Sequence, residues 1–406
     1  MRFDLKFLSL ATALALAACG GSGGDAADGG AGPNPPPEGN DGGSTPSVVA
    51  PYQAALVAGF AWGTAYEPPP TPMLPSVPVE DPDQGCIDGA ALGAKLSLLP
   101  PANPPAGPFA KKASGELLLG EWGRCDRRAR IRVIDPAGNT IRTLAAGASS
   151  EDTQASTAFL TPVAIAVGRS GDIYIGDSGI VYSDSSRVRG TGIWKIDADG
   201  NVSVVAGAAL TTSGGLSVVD GAGLAASFGY IQAMCLGSDG LLYVDDAFRL
   251  RTVTVSGDVT TVTTPNVKQQ HVLACGPDGS VLMHRRFNDP ADDDFYDPVA
   301  GKSIAKASAA GPKFITPLSY LGPLAYLGPA NPSVVIQTGG PDYSLVMLNL
   351  IDGSSATIAS HAADSAADLT ATPPAIAAIF WYGAAIDGTD FDLVTSNGVM
   401  RFARKP

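Results

Sequence analysis

The chain has 406 residues, of which 49 are glycine and 33 proline, and only 16% are charged. That composition suits many short strands joined by tight turns rather than a helical bundle. A net charge of −13 argues against a nucleic-acid partner, because binding phosphates needs a basic surface.

The N-terminus carries Arg2 and Lys6 ahead of an apolar run, Phe7 to Leu16. That run is too short to span a bilayer as a mature helix. It ends in Leu16-Ala17-Ala18-Cys19-Gly20, which resembles the lipobox of bacterial lipoproteins. The resemblance implies a signal peptide over 1–18 and diacylated Cys19 as the first mature residue. It also implies the outer membrane, since Gly20 rather than Asp follows the cysteine. An ordinary secretory signal with an incidental cysteine is the alternative. Residues 19–48 are rich in Gly, Pro, Asp and Ser, with few apolar side chains, and read as a disordered tether.

From residue 49 to 406 the chain reads as one all-β body. The clearest unit is 162–207, with strand-like runs at Val163–Val167, Asp172–Ile175, Ile193–Ile196 and Val202–Ala206. Ser170-Gly171 and Asp197-Ala-Asp-Gly-Asn201 supply turns between them. Its second run, Gly171-Asp-Ile-Tyr-Ile-Gly-Asp177, matches Gly115-Glu-Leu-Leu-Leu-Gly-Glu121 and Gly240-Leu-Leu-Tyr-Val-Asp-Asp246, and more weakly Gly279-Ser-Val-Leu-Met-His-Arg285. The third recurs as Arg130-Ile-Arg-Val-Ile-Asp and Arg249-Leu-Arg-Thr-Val-Thr. Between units, Asp220-Gly-Ala-Gly-Leu is echoed by Asp88-Gly-Ala-Ala-Leu, and in degraded form from Asp152.

These motifs, in one fixed order over 88–264, resemble the NHL-repeat family of β-propellers. The resemblance implies a propeller of four-stranded antiparallel blades. Six blades fit best, with seven as the alternative count. The C-terminal third departs from the pattern. Runs at Ser333, Ser344 and Ala356 suit a fifth blade; those at Ala375, Phe391 and Val399 suit a sixth that lacks its outermost strand. Gln53–Gly59 resembles a strand-four ending and can close the ring, which would remove exposed sheet edges.

Candidate chemistry is sparse. Glu121, Asp177 and Asp246 end the second strand in successive blades, with Asp245 beside the last. They would form a carboxylate ring able to hold Ca²⁺, or each would tie down its own loop. His271, His284 and Trp122 are candidate ligand-surface residues, and His361 reads as an exposed residue in an Ala-rich connector. The acidic run from Asp289 to Asp297 reads as a solvated loop, because it lacks Ca²⁺-loop spacing. Of the remaining cysteines, Cys86 and Cys125 are expected to pair. Cys235 and Cys275, in equivalent first strands, read as separate small buried residues, with a bridge as the alternative. No catalytic set emerges. The leading expectation is a non-enzymatic module that binds an envelope protein, peptide or glycan. A metal-assisted hydrolase or lactonase and a purely structural assembly module are the alternatives.

Overall fold

The computed structural model describes residues 48–49, 52–59, 85–97, 108–123, 126, 128–149, 158–179, 191–207, 218–246, 249–262, 271–285, 294–306, 325–337, 344–361, 375–376, 381–387, 389–395 and 398–405. Their strands form six separate sheets, each built around four antiparallel strands in chain order. Blade 1 comprises Phe109–Lys111, Leu117–Gly123, Arg128–Asp135 and Thr140–Ser149. Blade 2 comprises Pro162–Val167, Ile173–Asp177, Gly192–Ile196 and Val202–Gly207. Blade 3 comprises Ile231–Leu236, Leu242–Asp246, Arg249–Val253 and Asp258–Thr261. Blade 4 comprises His271–Cys275, Val281–Arg285, Asp294–Asp297 and Lys302–Lys306. Blade 5 comprises Ala325–Tyr326, Ser333–Gln337, Ser344–Asn349 and Ser355–His361. Blade 6 takes Trp381–Asp387, Asp390–Thr395 and Gly398–Arg404 from the C-terminus, and Tyr52–Gly59 as its outer strand.

Local sequence explains the hairpins. Gly171 and Gly240, which turn the first strand into the second in blades 2 and 3, have φ of +88° and +85°. A side chain would meet no atom there, so the positive φ rather than crowding is what demands glycine. Along the strands, successive side chains point to opposite faces, and both faces are apolar because each packs on a neighbouring blade. In blade 1, Leu117 and Leu119 join a cluster with Val394 and Val399 of blade 6. Leu118 between them joins Ile165, Ile175 and Trp194 of blade 2. Four more clusters link blades 2–3, 3–4, 4–5 and 5–6, so the apolar contacts run once around and return to the start. The fold is therefore a closed six-bladed β-propeller.

Closure is by the strand anticipated at Gln53–Gly59. Tyr52 pairs with Arg404 and Gly59 with Gly398. Tyr52, 3% exposed, packs at a tilt against Phe391 with ring centres 5.6 Å apart and donates to the Thr389 carbonyl at 2.9 Å. Next to this seam the fully buried Asp392 of blade 6 accepts from Lys111 Nζ of blade 1 at 3.2 Å and from Arg401 Nε at 2.7 Å.

Four local expectations are corrected. The first strand of blade 6 is Trp381–Asp387, whereas Ala375–Ile376 adds in parallel to the outer strand of blade 5. The tight turn that pairs Asp387 with Asp390 sets this register, and a strand ending before Trp381 cannot reach it. His361 ends a strand instead of lying in a connector, and Asp294–Asp297 form a strand with Asp294 buried; Asp289, Asp292 and Asp293 lie outside the described residues. Cys235 and Cys275 are bridged, with Cα atoms 5.4 Å apart. First strands of adjacent blades converge toward the axis, which brings equivalent positions within bridging distance. Cys86 is also disulfide-bonded, and Cys125 lies outside the described residues.

Replacing Cys235 and Cys275 together by alanine should lower stability by about 2–4 kcal/mol, the range for closing a loop of this size. The loop spans 40 residues. Urea unfolding of both proteins measures it, and coincident midpoints would contradict it.

Candidate functional site

The two ends of the ring are built differently. At one end, short turns join first to second and third to fourth strands. At the other, second-to-third and blade-to-blade connectors leave, including 178–191, 208–220, 286–293 and 307–324. First strands of blades 2, 3 and 6 each carry a bulge near this end. Such bulges re-aim the chain where pairing stops. The predicted carboxylates lie here, at the ends of second strands.

In blade 1, Glu121 is fully buried and accepts from the Ser97 amide at 2.7 Å and from Arg132 Nη1 at 2.9 Å. Arg132 also donates to Asp88 Oδ1 at 3.1 Å and the Ile87 carbonyl at 2.7 Å. Asp88 in turn accepts from the amide and hydroxyl of Thr143, both at 2.9 Å. Blade 3 repeats the arrangement with equivalent residues. Asp246 accepts from the amides of Gly229 and Tyr230 at 2.7 and 2.8 Å and from Arg251 Nη1 at 2.8 Å. Arg251 donates to Asp220 Oδ1 at 2.7 Å and the Val219 carbonyl at 3.0 Å, and Asp220 accepts from the amide and hydroxyl of Thr261. The three recurring sequence motifs are thus one device, in which a buried guanidinium fastens the strand-two carboxylate to the aspartate that opens the blade-to-blade motif.

The device varies elsewhere. Blade 2 has Trp194 where blades 1 and 3 have Arg132 and Arg251. Asp177 there accepts from the amides of Leu160, Thr161 and Gly179 at 2.9, 2.6 and 3.2 Å. Blade 4 reverses the polarity. Arg285 takes the strand-two position and donates to Asp294 Oδ1 at 2.7 Å, with its guanidinium 3.8 Å from the centre of the Tyr296 ring. Burial pushes the carboxyls of Glu121 and Asp246 up, and the adjacent guanidinium pulls each part of the way back.

Glu121, Asp177 and Asp246 are therefore spent on their own connectors rather than gathered about one point. Ca²⁺ takes six to eight oxygens. Among the described residues no group of three or more His, Cys, Asp or Glu side chains is arranged to hold a metal ion. Asp245 differs from its neighbour. It is 1% exposed, and its Oδ1 is buried with no hydrogen-bond partner. His284, at the matching position of blade 4, is 7% exposed and stacks on Phe295 with ring centres 4.9 Å apart. His271 begins the first strand of blade 4 and pairs with Arg285; Trp122 pairs with Ala129. The side chains of His271 and Trp122, and Cys19 entirely, lie outside the described residues. A shallow pocket of about 220 Å³ on the rim of blade 1 is lined by Ile87, Asp88, Leu92 and Lys95 among others. It is smaller than the roughly 300–1,000 Å³ of usual ligand sites. The roles of Arg132 and Arg251 were missed in the sequence; their signal was the joint recurrence of Arg-x-Arg with the Asp-Gly-Ala motif.

No protein-family model matches the chain, and no curated protein matches it. Among solved structures, it is similar to a structural-genomics protein of unknown function from Bacteroides thetaiotaomicron, at 15% identity and a TM-score of 0.49, covering 87% of this chain and 76% of that one. An auxiliary nutrient binding protein from the same organism matches at 9% identity and 0.49, over 87% and 77%. A virginiamycin B lyase from Staphylococcus aureus matches at 15% and 0.40, over 73% and 79%. Likenesses this distant carry no argument about what the chain binds.

Proposed function

We propose that this protein is an exported, lipid-anchored and non-enzymatic binding module, held to the outer membrane through Cys19, whose connector-bearing end takes up an envelope protein, peptide or glycan. The observation that carries the reading is the division of labour at that end. Glu121, Asp246, Arg132 and Arg251 are consumed in fastening blades, whereas long connectors leave a rigid ring. Recognition on propeller-like scaffolds lives in such connectors. An acidic surface fits a partner other than nucleic acid.

The anchor is tested by metabolic labelling with a fatty-acid analogue. Wild type should take up label and fractionate with membranes, and Cys19→Ala should do neither; equal labelling would remove the anchor from the reading. For the binding end, 180–190 is replaced by a short Ser-Gly turn, which leaves Ser178, Gly179 and Thr191 in place, and envelope proteins and glycans are cross-linked to wild type and variant. The captured species should be lost while the melting temperature holds. Undiminished capture, or turnover of lactones by the wild type that Asp177→Asn abolishes, would replace this reading.

A further inference from the structure

The seam between blades 3 and 4 combines two features. At its turn end it is locked twice, by the Cys235–Cys275 bridge and by the Ser238 amide donating to the Gly279 carbonyl at 2.8 Å. Near its connector end it holds Asp245. This carboxyl lies on the same strand face as Tyr243, two residues away. Across the sheet it is flanked by Ala233 and Leu250. Those three residues pack with Leu273, Val281 and Met283 of blade 4. Asp245 is therefore set among apolar side chains where one blade meets the next.

The equivalent residues show how tight that position is. Blades 1 and 2 have Gly120 and Gly176 there. A Cβ on Gly120 would lie 3.0 Å from Pro162 of blade 2, and one on Gly176 2.9 Å from Ile231 of blade 3. Where blades 1 and 2 carry only hydrogen, blade 3 inserts a carboxyl whose Oδ1 has no partner. A neutral acid can be tolerated in such a place, but an unpaired carboxylate is strongly penalised.

Among the described residues, the charged groups around it offer no counter-ion. The first strand of blade 3, Ile231–Leu236, contains no charged residue. On the third, Arg251 is committed to Asp246 and Asp220, and Arg249 is exposed. Asp246 adds like charge. Tyr243 donates to Asp239. From blade 4, Arg285 is paired with Asp294, and His271 begins the first strand. Burial first, and the Asp246 charge second, hold the Asp245 carboxyl well above the usual carboxylate range.

We propose that the blade 3–blade 4 seam is a pH-sensitive joint. With Asp245 protonated it closes along its whole length; when the proton leaves, its connector end opens while the disulfide holds the turn end shut. The sign follows from linkage. A carboxyl whose folded pKa is raised contributes fully below its unfolded pKa, and the contribution is lost as pH rises through the folded one. Opening would change the spacing of the connectors on either side of this seam, so partner uptake and pH are coupled there.

Amide exchange followed by mass spectrometry on the intact, oxidised protein tests this. Rates are corrected for intrinsic exchange from about pH 5 to about pH 9, across the range where a raised carboxyl titrates. Protection over 231–234 and 271–273 should fall as pH rises, by up to about tenfold per pH unit, the limit for one proton. Protection beside the bridge, over 235–242, should hold. In Asp245→Asn the fall should vanish, and in His271→Gln it should persist. Asp245→Leu substitutes if the asparagine variant does not fold. A flat wild type, an equal fall at both ends of the seam, an unchanged fall in the neutral variants, or its loss in His271→Gln would each overturn the joint.

Discussion

Arg251→Ala should cost about 3–5 kcal/mol, the usual consequence of leaving a buried charge without its partner. Arg251 is fully buried and donates to Asp246, Asp220 and the carbonyls of Val219 and Ser227. Its removal strands Asp246, which keeps its two backbone amides but loses its cation, and frees the segment that leads into blade 3. The loss should depend on pH in a definite direction. Burial already raises the Asp246 carboxyl, and without the guanidinium it rises further. The deficit should therefore be smallest near the ordinary carboxylate pKa, where Asp246 can be neutral, and grow as pH climbs. Asp220→Ala provides the contrast. Its side chain is 48% exposed, so solvent screens the ion pair and the loss should stay near 1 kcal/mol. Urea midpoints for the three proteins at two pH values decide it. Equal effects for Arg251→Ala and Asp220→Ala would show that the buried guanidinium is not the fastener.

Deleting residues 46–59 should abolish cooperative unfolding altogether. Without Tyr52–Gly59, the Gly398–Arg404 strand has an unpaired edge, and Phe391 and Phe402 lose part of their cover. Sheet edges so exposed invite pairing with other chains. A graded version is Tyr52→Ala, which removes a large buried ring and its bond to Thr389 and should cost about 3–5 kcal/mol. Calorimetry distinguishes the outcomes. A single sharp transition retained by the deletion would mean that three strands of blade 6 suffice to close the ring.

The blades were legible because their signals are local. Turn glycines, alternating apolar runs and recurring motifs lie within a few residues of each other, and even the closing strand showed itself as a strand-four ending. What was not legible depends on which chemistry the repeats bring together in space. The carboxylates were visible as a series, but their partners, Arg132 and Arg251, stand in other motifs, and only folding places each against an acid and a second aspartate. The Cys235–Cys275 bridge stood second to separate buried thiols for the same reason. Equivalent positions in neighbouring blades are adjacent near the axis and distant at the rim, and sequence spacing does not say which. Asp245 shows the reverse case. An Asp-Asp pair where its relatives have Gly-Glu or Gly-Asp was readable from the start, yet its meaning lies in the seam it faces.

The outer strand of blade 6 also sets the order of events in biogenesis. Tyr52–Gly59 is among the first parts of the body to be synthesised, yet the carbonyl that Tyr52 binds lies 337 residues later in the chain. Its strand partner, Gly398–Arg404, is made after the strands of the other five blades. The ring cannot close before Gly398–Arg404 is made, so closing contacts of such long range make a slow step. Until then the strand Tyr52–Gly59 waits unpaired, an edge open to pairing with other chains.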